Sequence, residues 1–157
     1  MPELPEVEVT RLGITSALTG ARIRAVSVHS AKLRAMVPTG LPQLLCGQVV
    51  ASVQRRGKYL ILNCPNGSLL LHLGMTGHLR LVPAGTAPGP HDHFDLLLDT
   101  GLVLRLNDYR RFGSIHWTDE NPMQHQLLRK IGPEPLTAAF DSEYLYRLSR
   151  NRKVAIQ

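Results

Sequence analysis

Cysteine is scarce in this 157-residue chain: Cys46 and Cys64 are the only two and stand far apart, so neither a zinc cluster nor a disulfide framework follows. Both are expected to be buried free thiols. No apolar run reaches the length of a membrane span, and the N-terminus lacks the pattern of a secretory signal. The expectation is a soluble, cytoplasmic protein. Internal repeats and low-complexity tails are also missing. Acidic residues are in deficit, 12 against 18 basic ones, for a net charge of +6 and a pI near 9.8. The basic residues are mostly arginine, whose planar fork matches phosphate oxygens in pairs as lysine cannot, so the expected partner is a polyanion. A hydrophobic fraction of 43% over this length suits one domain with a real core.

The chain opens Met1-Pro2-Glu3-Leu4-Pro5-Glu6-Val7-Glu8. An initiator methionine before so small a residue as proline is readily removed, which would leave Pro2 carrying the α-nitrogen of the chain. A free α-amine titrates at about 7.7 to 8.0 against about 10.4 for lysine, so it is a nucleophile near neutrality without any tuning. A prolyl amine is also secondary. Its adduct with an aldehyde carbon is an iminium that keeps its positive charge and favours elimination. Glu3 beside it can move a proton at the atom attacked.

Pro5 suits the first turn of a helix, with Glu6 and Glu8 at the positive end of its dipole, and Val7, Ile14 and Leu18 predict one helix from about residue 5 to 18. The period then changes to two. Residues 22–28, 48–54, 58–63, 68–73, 78–82, 93–98, 102–106 and 112–117 read as short strands, with Pro65-Asn66-Gly67 and Asp99-Thr100-Gly101 as hairpin turns. Residues 83–91 are rich in proline and glycine and predict an exposed loop that brings His91 to the surface. Two further helices are expected over 122–130 and 142–150, split by Gly132-Pro133-Glu134-Pro135. The fold class expected is mainly β with flanking helices: an eight-stranded antiparallel β-sandwich with an N-terminal α-helix carrying the reactive terminus.

The first eight residues resemble the opening of the formamidopyrimidine-DNA glycosylases of the Fpg/Nei family. Gln54-Arg55-Arg56-Gly57-Lys58-Tyr59-Leu60, His72-Leu73-Gly74-Met75-Thr76-Gly77, His91-Asp92-His93, Arg110-Arg111-Phe112-Gly113 and Gly132-Pro133-Glu134-Pro135-Leu136 follow in that family's order. The resemblance implies a bifunctional DNA glycosylase and AP lyase of base-excision repair, with damaged double-stranded DNA as partner. It implies that Pro2 attacks C1′ of the damaged nucleotide, that Glu3 assists base expulsion and sugar opening, and that Lys58 supplies a proton and holds a phosphate. His72, His91, Arg110 and Lys153 match DNA-contacting positions. Met75, Arg110 and Phe112 match the side chains that fill the hole left by a flipped nucleotide, where wedging residues offset the cost of unstacking.

Residues 1–135 would form the catalytic sandwich. Residues 136–157 would form a helix and the start of a linker to a helix-two-turn-helix and zinc-finger domain that this sequence does not contain, so no metal and no cofactor is expected within it. A monomer is expected, and low activity for the 157-residue segment alone. Tyr109 departs from the family's usual proline before Arg110, which implies a looser turn. Oxidised purines, 8-oxoguanine and formamidopyrimidines, are the expected lesions, because the endonuclease VIII-type branch, specific for oxidised pyrimidines, usually has glycine where Leu4 stands. A non-catalytic damage-binding module is the other alternative. It should lack Pro2, Glu3 or Lys58, and all three are present.

Overall fold

The computed structural model of the chain describes residues 1–154. Helix α1, Leu4–Leu18, starts where the sequence places it. Glu3 is its N-cap in an extended conformation, and the Glu3 N–H donates to Glu6 Oε2 at 3.0 Å, so one donor of the open helix end is satisfied from within the first turn. Pro5 has no N–H there to leave unpaired. Val7, Ile14 and Leu18 lie on one face and are buried, whereas Val9 and Leu12 on the other face are exposed.

The strands are β1 (Ile23–Val28), β2 (Ser52–Arg56), β3 (Tyr59–Cys64), β4 (Gly67–His72), β5 (His78–Pro83), β6 (Asp92–Leu98), β7 (Leu102–Asn107) and β8 (Ser114–Thr118). They form two four-stranded antiparallel sheets, in the orders β1-β6-β7-β5 and β2-β3-β4-β8. Both predicted hairpins occur: Cys64 pairs with Gly67 across Pro65-Asn66, and Gly101, at φ 83°, closes the β6–β7 turn. Between the sheets, Leu60, Leu62, Leu69, Leu71 and Ile115 from one meet Ile23, Phe94, Leu96, Leu104 and Leu106 from the other. Helix α1 packs chiefly on β2, which ties the N-terminus to one end of the second sheet.

Several expectations are corrected. The strand read at 48–54 begins only at Ser52 and runs on to Arg56, because Val49 and Val50 instead bond back to Arg22 and Ala21. The strand read at 112–117 begins at Ser114, since Phe112-Gly113 belongs to a turn. Residues 122–130 form no α-helix but a 3₁₀ turn, Pro122–Gln124, followed by further turns. His125 breaks the run: it is extended at ψ 141°, and its Nδ1 takes the Leu127 N–H at 3.3 Å, so its side chain competes with the helical ladder. The segment lays Leu128 and Ile131 on Ile61 and Leu70, covering the outer face of the second sheet. A short helix α2, Leu41–Leu45, was not anticipated and buries Leu41 and Leu45 at one end of the core. Cys46 is exposed and Cys64 is half-buried, with burial pushing the Cys64 thiol up to about 11. Helix α3, Ser142–Ser149, is capped by Asp141 Oδ1, which accepts the Tyr144 N–H at 2.7 Å. None of its residues is buried.

Leu71, fully buried between the sheets, should lose about 2–5 kcal/mol of stability on replacement by alanine. Leu12→Ala, on the exposed face of α1, should change stability by less than about 0.5 kcal/mol. The test is thermal melting of the 157-residue chain. A single cooperative transition with that contrast is expected, whereas a broad, non-cooperative melt would show that the sandwich needs more than these residues.

Candidate active site and nucleic-acid interface

The N-terminus of α1 and the β2–β3 turn bring Glu3 and Lys58 together. Gly57, at φ 56°, makes that turn tight enough to aim Lys58 back at the helix, and Lys58 Nζ lies 2.5 Å from Glu3 Oε2. Both side chains remain nearly half exposed, at 40% and 48%. Pro2 is half-buried beside them. Met1 is attached, so the Pro2 nitrogen is an amide without a nucleophilic lone pair. Met1 is 68% exposed and lines a cavity of about 520 Å³ together with Arg34, His72, Gly74, Met75 and Phe112. Its removal would uncover the prolyl nitrogen at the edge of that cavity.

A chain of ion pairs holds this arrangement. Arg55 Nε donates to Glu8 Oε2 of α1 at 2.7 Å and its Nη1 to Glu134 Oε2 at 2.6 Å. Glu134 Oε1 accepts from Arg56 Nη1 at 2.9 Å and from the Gly57 N–H at 2.5 Å. Arg56 Nη2 also donates to the carbonyls of Ile131 and Gly132, at 2.6 and 2.7 Å. Arg11 clasps Glu8 from the same helix, and the Arg11 hydrogen bond, with Arg55 adding to it against the cost of burial, draws the Glu8 carboxyl down to about 2. Burial opposes ionisation of Glu134, but its bonds to the Gly57 N–H, Arg55 and Arg56 outweigh it and keep its pKa below the ordinary carboxylate range.

At the end of β4, His72 Nδ1 accepts the Gly74 N–H at 3.0 Å, so in the neutral ring the hydrogen sits on Nε2. Burial lowers the His72 pKa, and the charges of Arg34 and Lys58 add to the effect. The ring packs 4.7 Å from Tyr59. At neutral pH, His72 is therefore an uncharged N–H donor, suited to an anionic oxygen.

Two turns follow. The first runs from Leu73 to Gly77 and exposes Met75; the second runs from Asp108 to Gly113 and exposes Arg110 and Phe112. Their backbones touch: a Cβ on Gly74 would run into the carbonyl of Phe112. The Arg110 guanidinium stacks 4.7 Å from the centre of the Phe112 ring. Tyr109 meets His91 edge to face at 4.7 Å, so His91 is half-buried at the end of its loop rather than fully exposed.

The family model for the formamidopyrimidine-DNA glycosylase N-terminal domain matches residues 1–115. The chain belongs to this family. It is 54% identical over 157 residues to the formamidopyrimidine-DNA glycosylase of Geotalea uraniireducens, covering all of this chain and 58% of that protein. Among solved structures, the Lactococcus lactis formamidopyrimidine-DNA glycosylase bound non-covalently to DNA containing an AP site superposes with a TM-score of 0.81 at 34% identity, over 94% of this chain and 56% of that one. MutM in complex with DNA containing carbocyclic 8-oxo-G matches at a TM-score of 0.67 and 31% identity, over 74% and 44% of the two chains. The chain thus spans little more than half the length of its formamidopyrimidine-DNA glycosylase relatives.

Of the residues expected from sequence, His72, Met75 and Phe112 line the cavity, Arg110 stacks on Phe112, Glu3 and Lys58 meet next to Pro2, and His91 packs on Tyr109. Lys153 is exposed beyond α3, and no described hydrogen bond or ion pair joins it to the others. At the turn where Tyr109 replaces the family's usual proline, Thr76 Oγ1 accepts the Arg110 N–H at 3.0 Å. Sequence reasoning missed Arg34, which lines the cavity while its N–H donates to the Gly113 carbonyl at 3.1 Å, and it missed the joining roles of Glu8, Glu134 and Asp108. Glu134 lay in a quoted motif, but nothing local named its partners. Among the described residues no group of three or more histidine, cysteine or acidic side chains could hold a metal. No helix among them is long and apolar enough to cross a membrane.

The depressed pKa values of Glu8 and Glu134 set a sign. Their charged forms stabilise the fold fully above about pH 4.5, and that contribution is lost as pH falls towards 2. Glu134→Gln should cost about 2–3 kcal/mol at pH 7, because Arg55 and Arg56 lose their shared partner while partly buried. Melting curves between pH 7 and 2 should show the variant converging on the parent at the acid end. Parallel curves would mean the network contributes nothing.

Proposed function

We propose that this chain is the catalytic N-terminal portion of a bifunctional DNA glycosylase and AP lyase that removes oxidised purines, 8-oxoguanine and formamidopyrimidines, from double-stranded DNA. The observation that carries the reading is the Glu3–Lys58 contact at the root of the chain's own N-terminus, two residues from Met1, which lines a cavity with His72, Met75 and Phe112. Once Met1 is removed, the Pro2 lone pair attacks C1′. The bond from C1′ to the base breaks, and the base leaves with the electron pair and takes up a proton. Glu3 takes the proton that the prolyl nitrogen sheds after attack and passes it to the ring oxygen as the C1′–O4′ bond breaks and the sugar opens, giving an iminium between Pro2 and C1′. The cation acidifies C2′–H, whose loss expels the 3′ phosphate; a second elimination expels the 5′ phosphate. Lys58 and the neutral His72 N–H hold phosphate beside the lesion, with His91, Arg110 and Lys153 as further DNA contacts.

Met75, Arg110 and Phe112 fill the space left by the extruded nucleotide: Arg110 donates to the orphaned base, and Met75 and Phe112 wedge the stack. Relatives of this chain are captured on DNA with an AP site and with 8-oxo-G, which supports DNA as partner. The reading includes a catalytic unit at 1–135, with 136–157 leading to a helix-two-turn-helix and zinc-finger portion that carries the one Zn²⁺, and a cytoplasmic monomer. The division is supported by Glu134, the last residue bonded into the sandwich, and by the full exposure of Leu136.

Borohydride added to the complete, methionine-free protein on abasic or 8-oxoguanine duplex should trap a covalent adduct that mass spectrometry places on Pro2. The 157-residue segment alone should give far less, since fewer phosphate contacts mean weaker, strongly salt-dependent binding. An adduct on a lysine, or none with a free prolyl terminus, rules out this mechanism. Replacing Met75, Arg110 and Phe112 together by alanine should slow excision from duplex by about tenfold or more, while a preformed abasic site, cheaper to extrude, is affected less. Equal losses on both substrates would remove these residues from a void-filling role.

A further inference from the structure

Asp108 is completely buried, is not among the residues that line the cavity, and has every hydrogen-bonding group occupied. Its Oδ1 accepts the Thr76 hydroxyl at 2.6 Å, and its Oδ2 accepts the Gly113 N–H at 2.7 Å. Its own N–H donates to the His91 carbonyl at 2.9 Å. Its carbonyl oxygen receives His93 Nε2 at 2.9 Å and the Arg111 N–H at 3.3 Å. The Thr76 hydroxyl that donates to Asp108 in turn accepts the Arg110 N–H at 3.0 Å. One residue therefore joins the Met75 turn, the Arg110–Phe112 turn and the end of the His91 loop. The backbone around it has little slack: a Cβ on Gly113 would lie 2.9 Å from Asp108 Oδ2 and 2.8 Å from the His72 carbonyl, and Arg111 is held at φ 58°, a strained value for a residue with a side chain.

We propose that the Asp108–Thr76 pair is a positioning device that sets the poses of Met75, Arg110 and Phe112 before DNA arrives. The inference rests on the void-filling reading of those three residues and adds what makes them effective. Exposed side chains on two separate turns would have to be ordered at the moment of insertion, when the enzyme is already meeting the cost of unstacking. A buried carboxylate bonded to both turns meets that ordering cost at folding instead. The relay through Thr76 is directional: its hydroxyl hydrogen goes to Asp108, which leaves its lone pairs for Arg110. Valine has the shape of threonine without the hydroxyl, so Thr76→Val cuts the relay and leaves the packing, whereas Thr76→Ser keeps it. Asp108→Asn can still accept from Gly113 but offers Thr76 a donor in place of an acceptor.

The test uses the complete protein without Met1, in single-turnover assays on 8-oxoguanine duplex and on duplex with a preformed abasic site. Thr76→Val should slow excision from 8-oxoguanine duplex by about tenfold, since small misplacements of positioned groups cost rates of that order or more, and should slow abasic cleavage by less than about threefold. Thr76→Ser should restore the parent rate, and Asp108→Asn should fall between parent and valine variant. Added to the Met75/Arg110/Phe112 triple-alanine background, Thr76→Val should cause no further loss, because nothing remains to be positioned. Equal loss on both substrates, a parental rate for Thr76→Val, or an additive loss on that background would overturn the proposal. If the triple-alanine protein itself excises at the parental rate, the void-filling reading falls and the positioning role with it; if only the triple-alanine protein is impaired, the positioning role alone falls.

Discussion

Glu134 and the two arginines that share it are the contact on which the reactive end of this molecule depends. The first residues of a chain have no upstream backbone to hold them in place, and termini fray unless something ties them down. Here the tie is indirect. Glu8 anchors α1 to Arg55, Arg55 and Arg56 converge on Glu134, and Glu134 also holds the Gly57 N–H in the turn that presents Lys58. The approach of Glu3 to Lys58 is thereby held from outside the pair, by Glu8 on the helix side and by Glu134 on the turn side. Ion pairs of this kind contribute modestly to net stability, but removing one partner leaves the others charged and poorly solvated. That asymmetry makes the network a constraint on geometry more than a source of stability.

The second constraint is steric. Gly74 and Gly113 let the Met75 turn and the Arg110–Phe112 turn approach backbone to backbone, closer than any side chain would allow. The exposed Met75, Arg110 and Phe112 stand on that shared base, with the arginine already stacked on the phenyl ring. Large apolar side chains on a surface are costly to keep in water and are a common mark of a recognition site. Their neighbour His72 is kept neutral by burial and by Arg34 and Lys58, so the cavity combines cations, one uncharged donor and apolar wedges within a small space.

Much of this was legible in the chain itself. Short runs rich in valine, leucine and isoleucine between turn residues marked the eight strands, alternating in β5 but continuous in β4, which is buried on both faces. Pro5 and the acidic residues around it marked the start of α1 through local backbone chemistry. The nucleophilic character proposed for Pro2 follows from the chemistry of a secondary amine freed by loss of Met1 and needs no fold at all.

What only the tertiary structure decided are the long-range pairings. Residues 122–130 carry a helical spacing of apolar side chains, yet the His125 side chain takes the Leu127 N–H and starts a new turn, so packing on Ile61 and Leu70 overrode the local preference. Cys46 has the composition of a core residue and sits at the surface, because α2 ends there. Asp108 and Glu134 are ordinary acids in sequence. Their partners lie 32 and 79 residues away at the far reach, and hydrogen bonds over such separations leave no periodic trace in the chain. Local rules of period, capping and turn chemistry thus determined the elements and the reactive groups, while burial of charge and the closeness of two glycine turns determined how those groups meet.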